Sequence, residues 1–265
     1  MSGDSVLRLK DTLFELPSQG QVDVGQPLIN GSFINIRPLL KGDQKVIAVP
    51  GASSYQVMFA LLDRVITSPK LDVNRLLLSD AIATLFAVRL MSFGSQYKAR
   101  YQCENCNEFN TASLDLNQLE VRYANELEGK FAATDLETTL SDGTVVKYHL
   151  PTLNDEKLIA AQVKNMAKRD KNVEANSRYV QQLVRLTQLC DHVSALGEDN
   201  EQSFTMRMRY FDEQLTMADE KRIWTAIYEA DVGLVTESEH ACSSCGYENA
   251  IMLSIDNQFF RSANE

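Results

Sequence analysis

Two Cys-x-x-Cys pairs, Cys103-Glu-Asn-Cys106 and Cys242-Ser-Ser-Cys245, stand on either side of a long stretch, residues 107–241. A turn of this kind aims two thiolates at one point, and a tetrahedral structural zinc takes four soft ligands. The pairs therefore predict one closed site made by Cys103, Cys106, Cys242 and Cys245, holding one structural Zn2+ ion per chain. Such a site restricts the fold severely, because segments more than a hundred residues apart must meet. The flanks agree. Gly246 follows Cys245 directly and admits the left-handed conformation that relaxes such a turn, and Glu108-Phe-Asn-Thr111 reads as strand. The competing reading is two independent pairs of free thiols. A redox pair is the weaker form of it, since neither pair opens a helix after a strand. The fifth cysteine, Cys190, continues the helical stripe Val180, Leu183, Val184 and Thr187 and reads as core.

The chain repeats itself around these pairs. Ile36-Arg-Pro-Leu-Leu-Lys-Gly-Asp-Gln-Lys-Val-Ile-Ala48 matches His149-Leu-Pro-Thr-Leu-Asn-Asp-Glu-Lys-Leu-Ile-Ala160 with a one-residue gap. A turn dipeptide and an alternating strand precede each copy: Asn30-Gly31 before Phe33–Arg37, and Asp142-Gly143 before Thr144–Tyr148. That is the pattern of tight hairpins. Ser79-Asp80 reads as the N-cap of a helix over Ala81–Met91 that stops at Phe93-Gly94. Thr216, with Asp219 and Glu220, opens a helix carrying Ile223, Trp224, Ile227 and Tyr228 on one face. Leu114-Asp-Leu116 and Leu253-Ser-Ile255 each begin eight residues after the second cysteine of their pair. The predicted fold class is α+β: two related β-hairpin–helix–CxxC halves joined by the shared zinc, with a helical insertion in the second half. The halves run over 1–123 and 124–265 and pack as one body, since no Pro-rich or low-complexity linker divides them. The insertion opens with the stripe Leu158, Ile159, Val163 and Met166. A charged stretch from Lys164 to Arg178 follows, then a second helix running to Gly197, and Glu198–Ser203 reads as a solvent loop.

No P-loop, GxGxxG, HExxH or GxSxG pattern occurs, and the carboxylates form no constellation that marks a general acid and base. A zinc with four thiolates has no open position for water, so the sequence predicts a non-enzyme. His149 and His192 read as structural, and His240 as an orienting group or substitute ligand beside Cys242. Lys+Arg 26 against Asp+Glu 36 leaves a net charge of −10. This argues against a nucleic-acid partner, which is gripped through Lys/Arg counterion release. The basic residues Lys164, Lys168, Arg169 and Lys171, and Arg207 with Arg209, form only short runs. Met206, Met208, Tyr210 and Phe211 read as an apolar edge, and Arg89, inside an apolar helix, as a paired arginine or an anchor across an interface. No apolar stretch approaches the ~20 residues of a membrane span, and Met1–Ser5 lacks the basic and apolar parts of a signal peptide. A soluble protein made in the cytosol is expected.

Five features stand in a telling order: Leu16-Pro-Ser-Gln-Gly20, the run Arg37–Lys45, Val88-Arg-Leu-Met-Ser-Phe-Gly-Ser-Gln-Tyr97, Tyr101-Gln-Cys103-Glu-Asn-Cys106 and Leu114-Asp-Leu116. In that order they resemble the T-even-type baseplate hub subunits of contractile-tailed bacteriophages, a family also labelled baseplate hub assembly proteins. The likeness is strongest up to about residue 160, includes the second cysteine pair, and is weakest over the insertion. The family pattern has a glycine shortly after the first pair, where this chain has Asn107-Glu-Phe109; asparagine also tolerates the left-handed region. The resemblance implies a non-enzymatic structural component of the tail baseplate hub, located in the virion and in the host cytoplasm during assembly. It implies other baseplate and tail hub proteins as partners, with several copies in a symmetric assembly. Two alternatives stay open: a transient hub assembly chaperone absent from the finished particle, and a zinc-ribbon nucleic-acid-associated factor.

Overall fold

Alternating apolar residues set the first sheet. Phe14, Ile34 and Ile36 turn inward from β2 (Leu13–Glu15) and β3 (Phe33–Ile36), between the outer strands β1 (Leu9–Lys10) and β4 (Ile66–Ser68). In this computed structural model, which describes residues 6–21, 31–47, 49, 51–127, 131–169, 178–197, 202–253, 255 and 259–260, the four strands are antiparallel in the order β1-β2-β3-β4. Between β3 and β4 run α1 (Gln44–Ile47) and α2 (Ser54–Val65). A capping box opens α2: the Gln56 N–H donates to Ser53 Oγ, and the Ser53 N–H donates to the Gln56 side chain. Leu61, Leu62 and Val65 of α2 are fully buried under the sheet.

α3 (Leu78–Phe93) is apolar nearly all round, which fits a helix enclosed on every side. The largest core surrounds it, with Phe14, Leu61, Phe86 and Leu116 joined by Ile251, Leu253, Phe259 and Phe260 from the far end of the sequence. Each such side chain contributes about 1.5–3 kcal/mol by leaving water. Arg89 is also fully buried here. Its guanidinium donates to the carbonyls of Phe259, Gly94 and Gln96, so it ties together segments of this chain and does not face a partner. After α3 come the ribbon β5 (Gln96–Gln102) and β6 (Phe109–Asp115), then β7 (Val121–Arg122).

A second sheet, in the order β10-β9-β8, is built from β8 (Leu136–Thr139), β9 (Val145–Tyr148) and β10 (Cys190–Val193). α4 (Leu153–Arg169) and α5 (Arg178–Leu189) connect β9 to β10, and Ile159, Val163, Val180 and Val184 zip them together. α6 (Phe204–Glu213) and α7 (Met217–Ala230) pack on this sheet through Phe211, Ile223 and Ile227. β11 (Gly233–Leu234) pairs with β7, and β12 (Glu237–Ala241) with β13 (Glu248–Met252) forms a second ribbon. Among the described residues no helix is long and apolar enough to cross a membrane.

Several sequence expectations change. Ser79 and Asp80 do not cap α3, which starts at Leu78; the Pro151 carbonyl accepts the Leu78 N–H at 2.7 Å and does the work of a cap. β3 is not in a tight hairpin, since it pairs with β2 across residues 16–32; Gly31 has φ 102°, and Asn30 lies outside the described residues. The second hairpin is as expected, with Thr139 opposite Val145 and Gly143 at φ 88°. The second inserted helix does not run to Gly197. It ends at Leu189, and Cys190 and His192 sit on β10, Cys190 fully buried as expected of a core residue. Residues 170–177 of the charged stretch, Lys171 included, and 198–201 of the expected loop lie outside the described residues. Gln202 from that tract is buried: it accepts the Val193 N–H and donates to the carbonyls of Val193 and Gly197. Tyr210 and Phe211 are buried on α6 whereas Met206 is exposed, and Tyr228 and Leu158 turn outward from their predicted stripes.

Candidate metal centre

Each cysteine pair sits in the turn of a two-stranded ribbon. In the β5–β6 ribbon the Cys103 N–H donates to the Glu108 carbonyl at 2.9 Å, and the Asn107 N–H returns to the Cys103 carbonyl at 2.9 Å. In the β12–β13 ribbon Cys242 bonds Tyr247 at 2.8 Å and Gly246 bonds Cys242 at 2.9 Å. Closing either turn requires a left-handed residue at its fourth position after the first cysteine. Asn107 takes it at φ 60° and Gly246 at φ 73°, so asparagine fills in the first turn the place that glycine fills in the second.

The two ribbons meet at these turns. The four Sγ atoms of Cys103, Cys106, Cys242 and Cys245 all lie within 4.8 Å of one another. Cys103 faces Cys245 at 3.7 Å, and Cys106 faces Cys242 at 3.6 Å. Four thiolates ~2.3 Å from a central zinc would stand ~3.8 Å apart, so the cluster has the dimensions of a tetrahedral metal site. The spacing is far from the ~2.05 Å of a disulfide, and all five cysteines are free. Cys103 and Cys242 are buried, Cys106 is half-buried and Cys245 is exposed.

Two of the four thiols, Cys103 and Cys242, are shifted toward losing their protons. The Cys106 N–H is the largest influence on Cys103 and brings its thiol down, outweighing burial. Burial pushes Cys242 up, but the N–H groups of Ser244 and Cys245 and the neighbouring thiols bring it down to about 6. The Glu108 N–H lowers Cys106, yet burial and the three other sulfurs raise it to about 12, so this thiol waits for a cation to lose its proton.

The histidines stay out of the cluster. His240 Nε2 lies 3.3 Å from Ser238 Oγ, on β12. His149 Nδ1 is 2.8 Å from Asp191 and its Nε2 is 3.4 Å from Asp155. Burial depresses this imidazole, but the two carboxylates outweigh it and raise its pKa to about 10. His149 lines a polar cleft of about 620 Å³ with Asp72, Arg75, Thr152 and Asp191.

Two residues at the site were not singled out from the sequence. Asn110 and Asn249 are buried, each seven residues after the first cysteine of its own ribbon, and each reaches into the other ribbon's turn. That equal offset was the available sign. Chemically, four converging thiols with amide donors around them can hold a soft cation and leave it no open position for a water molecule.

No curated protein and no solved structure matches the chain. A family model described as T4 bacteriophage base plate protein matches residues 11–261, a span that includes both ribbons and all four clustered thiols; the chain belongs to that family.

Proposed function

We propose that the protein is a non-enzymatic structural component of a bacteriophage tail baseplate hub, in which one zinc ion held by Cys103, Cys106, Cys242 and Cys245 fastens two distant parts of the chain. Membership of the base plate family supports the baseplate role. The observation that carries the zinc is the convergence of four thiols from two ribbons at tetrahedral spacing. Structural zinc sites in small finger peptides bind with an apparent 10–16 kcal/mol, or about that, which becomes folding energy when no site exists in the unfolded chain. On this proposal the partners are other baseplate and tail hub proteins, met in the host cytoplasm during assembly, and several copies of the chain stand in a symmetric assembly in the virion.

Residues 1–123 and 124–265 are, in the same proposal, related halves packed as one body. Equivalent contacts support it. In each half a strand pairs with the one that returns after two helices, β3 with β4 and β9 with β10. A buried aspartate follows the repeated proline in both halves, and it accepts a backbone N–H three residues before it: Leu40 for Asp43, Thr152 for Asp155. A cation just before that proline, Arg37 or His149, pairs with it.

Mass spectrometry of purified phage particles, with metal analysis of the isolated protein, tests the proposal. A fixed low copy number in the particle and one zinc per chain are expected. Detection only in infected-cell lysate would replace the structural role by a transient assembly role. A metal-free protein whose structure ignores chelators would overturn the zinc site.

A further inference from the structure

We infer that Asn110 and Asn249 form a reciprocal latch that builds the four-thiol site across the two ribbons and governs how fast it releases its metal. The inference rests on the zinc reading of the site given above. Asn110, on β6, accepts the Ser243 N–H at 3.0 Å and the Ser243 hydroxyl at 2.6 Å through Oδ1. Its Nδ2 donates to Cys242 Sγ at 3.3 Å and to the Glu108 carbonyl at 3.0 Å. Asn249, on β13, mirrors this. Its Oδ1 accepts the Glu104 N–H at 3.0 Å, and its Nδ2 donates to Cys103 Sγ at 3.7 Å and to the carbonyls of Tyr247 and His240 at 2.8 and 3.5 Å. Each asparagine therefore grips, in the opposite ribbon, both the first cysteine's sulfur and the N–H of the residue after it.

Only a primary amide does this, because it offers an acceptor and two donors within one short planar group. The acceptor docks the ribbons, and the donors complete the contact at a site only 8% exposed for Asn110 and 3% for Asn249. All of these bonds are made by the protein alone, so the thiols are gathered before a metal binds and little ordering is left to do at that step. The N–H···S bonds have a second effect. They fix the direction in which each sulfur points, so a ligand that lets go of the cation is held where it can bind again. Asn105 provides the contrast: it is exposed, and its side chain touches the cluster at Cys245 Sγ through Nδ2 at 3.6 Å without reaching a backbone N–H of the other ribbon.

The test uses the full chain loaded with Zn2+ or Co2+, reading zinc transfer to excess chelator and the sulfur-to-cobalt charge-transfer band. Asn110→Asp and Asn249→Asp keep the docking oxygen but turn a carboxylate oxygen toward the sulfur. Each is expected to release zinc about 10-fold faster or more and to shift the cobalt band, in line with partners that orient metal ligands. Asn105→Ala should stay within about 2-fold of the unmodified protein. If an aspartate variant loses the native circular dichroism, Asn→Ser at the same position, uncharged and too short to reach sulfur, is measured with the same expectation. Unchanged release and an unchanged band in natively folded variants would overturn the latch while leaving the zinc reading intact. An unmodified protein that takes up neither metal would overturn the zinc reading, and the latch's control of release with it.

Discussion

Asp80 and Asp219 make the same pair of bonds in two parts of the molecule and respond in opposite ways. Asp80, on α3, accepts the N–H of Ser18 at 2.9 Å and its hydroxyl; Asp219, on α7, accepts the N–H of Ser141 at 2.9 Å and its hydroxyl at 2.8 Å. Both tie the first turn of a helix to a segment far before it. Burial dominates at Asp80 and, with Asp231 nearby, raises its pKa to about 7 against the pull of Ser18. At Asp219 the Ser141 hydroxyl and N–H dominate, Thr216 and Arg222 add to them, and the pKa is lowered. Matching hydrogen bonds thus preserve geometry across the two regions, while the charge follows what else surrounds the carboxyl.

The sharpest way to break the parallel is at the thiols. Cys103→Ser and Cys242→Ser occupy equivalent places, so both should lose the metal and lower the thermal midpoint by the same amount, more than about 10 °C for a chain of this size. A chelator should reproduce that drop in the unmodified protein and add nothing in either variant. Unequal losses in differential scanning calorimetry would show that the ribbons do not share the site equally.

The next effect separates the two cation–aspartate pairs. His149→Gln should cost about 3 kcal/mol at pH 7 in urea unfolding, because it leaves the buried Asp155 carboxylate with the neutral donors of Thr152 and Gln188 and no cation. Arg37→Gln should cost about 1 kcal/mol, since Arg37 is a quarter exposed and Arg64 stands 3.5 Å from Asp43 as a second partner. The pH windows follow from the folded values. The His149 contribution, with its pKa raised from 6.5 to about 10, is complete below 6.5 and is lost as pH rises through about 10. The Asp155 contribution, with its pKa lowered from 3.8 to about 2, is present above 3.8 and is lost as pH falls through about 2.

Asp80→Asn and Asp219→Asn should differ in sign across pH. The folded protein holds a proton on Asp80 that the unfolded chain releases between 3.8 and about 7, so stability falls with rising pH over that window. Asp80→Asn should flatten this slope, at most about 1.4 kcal/mol per pH unit, and match or exceed the unmodified protein at pH 8. Asp219→Asn should be destabilising at pH 7 and approach neutrality as acid protonates the native carboxylate. The smallest contrast is at the turns. Gly246→Ala should cost about 1 kcal/mol for its positive φ alone, as nothing crowds an added Cβ there. Asn107→Gly should shift stability by no more than about 0.5 kcal/mol.

The thiol cluster was legible because a Cys-x-x-Cys turn is a local signature, complete within four residues. The Asn110 and Asn249 contacts were not, since their partners lie more than a hundred residues away and asparagine has no such signature of its own. The Thr216 cap was legible, with its Oγ accepting the Asp219 N–H, because the cap and its donor are neighbours in sequence. The same reasoning failed at Ser79-Asp80, where a carbonyl from Pro151 lets the helix begin at Leu78, three residues before Ala81, and frees both side chains for distant partners. β10 was hidden for a related reason: Cys190 keeps the helical phase of α5, and only pairing with Tyr148 on β9 makes the segment a strand.

The core around α3 carries a consequence for synthesis. Ile251, Leu253, Phe259 and Phe260 complete that core, yet among the described residues every other buried member except Leu153 precedes residue 120. At a ribosomal pace of roughly 5–20 residues per second, the stretch from residue 120 to residue 259 takes about 7–28 s to emerge. For that interval the apolar face of α3 has no lid, and Arg89 lacks its bond to the Phe259 carbonyl. The nascent chain is thus most vulnerable to wrong partners after its first core has been made, and the ribosome, through residues 251–260, sets when that exposure ends.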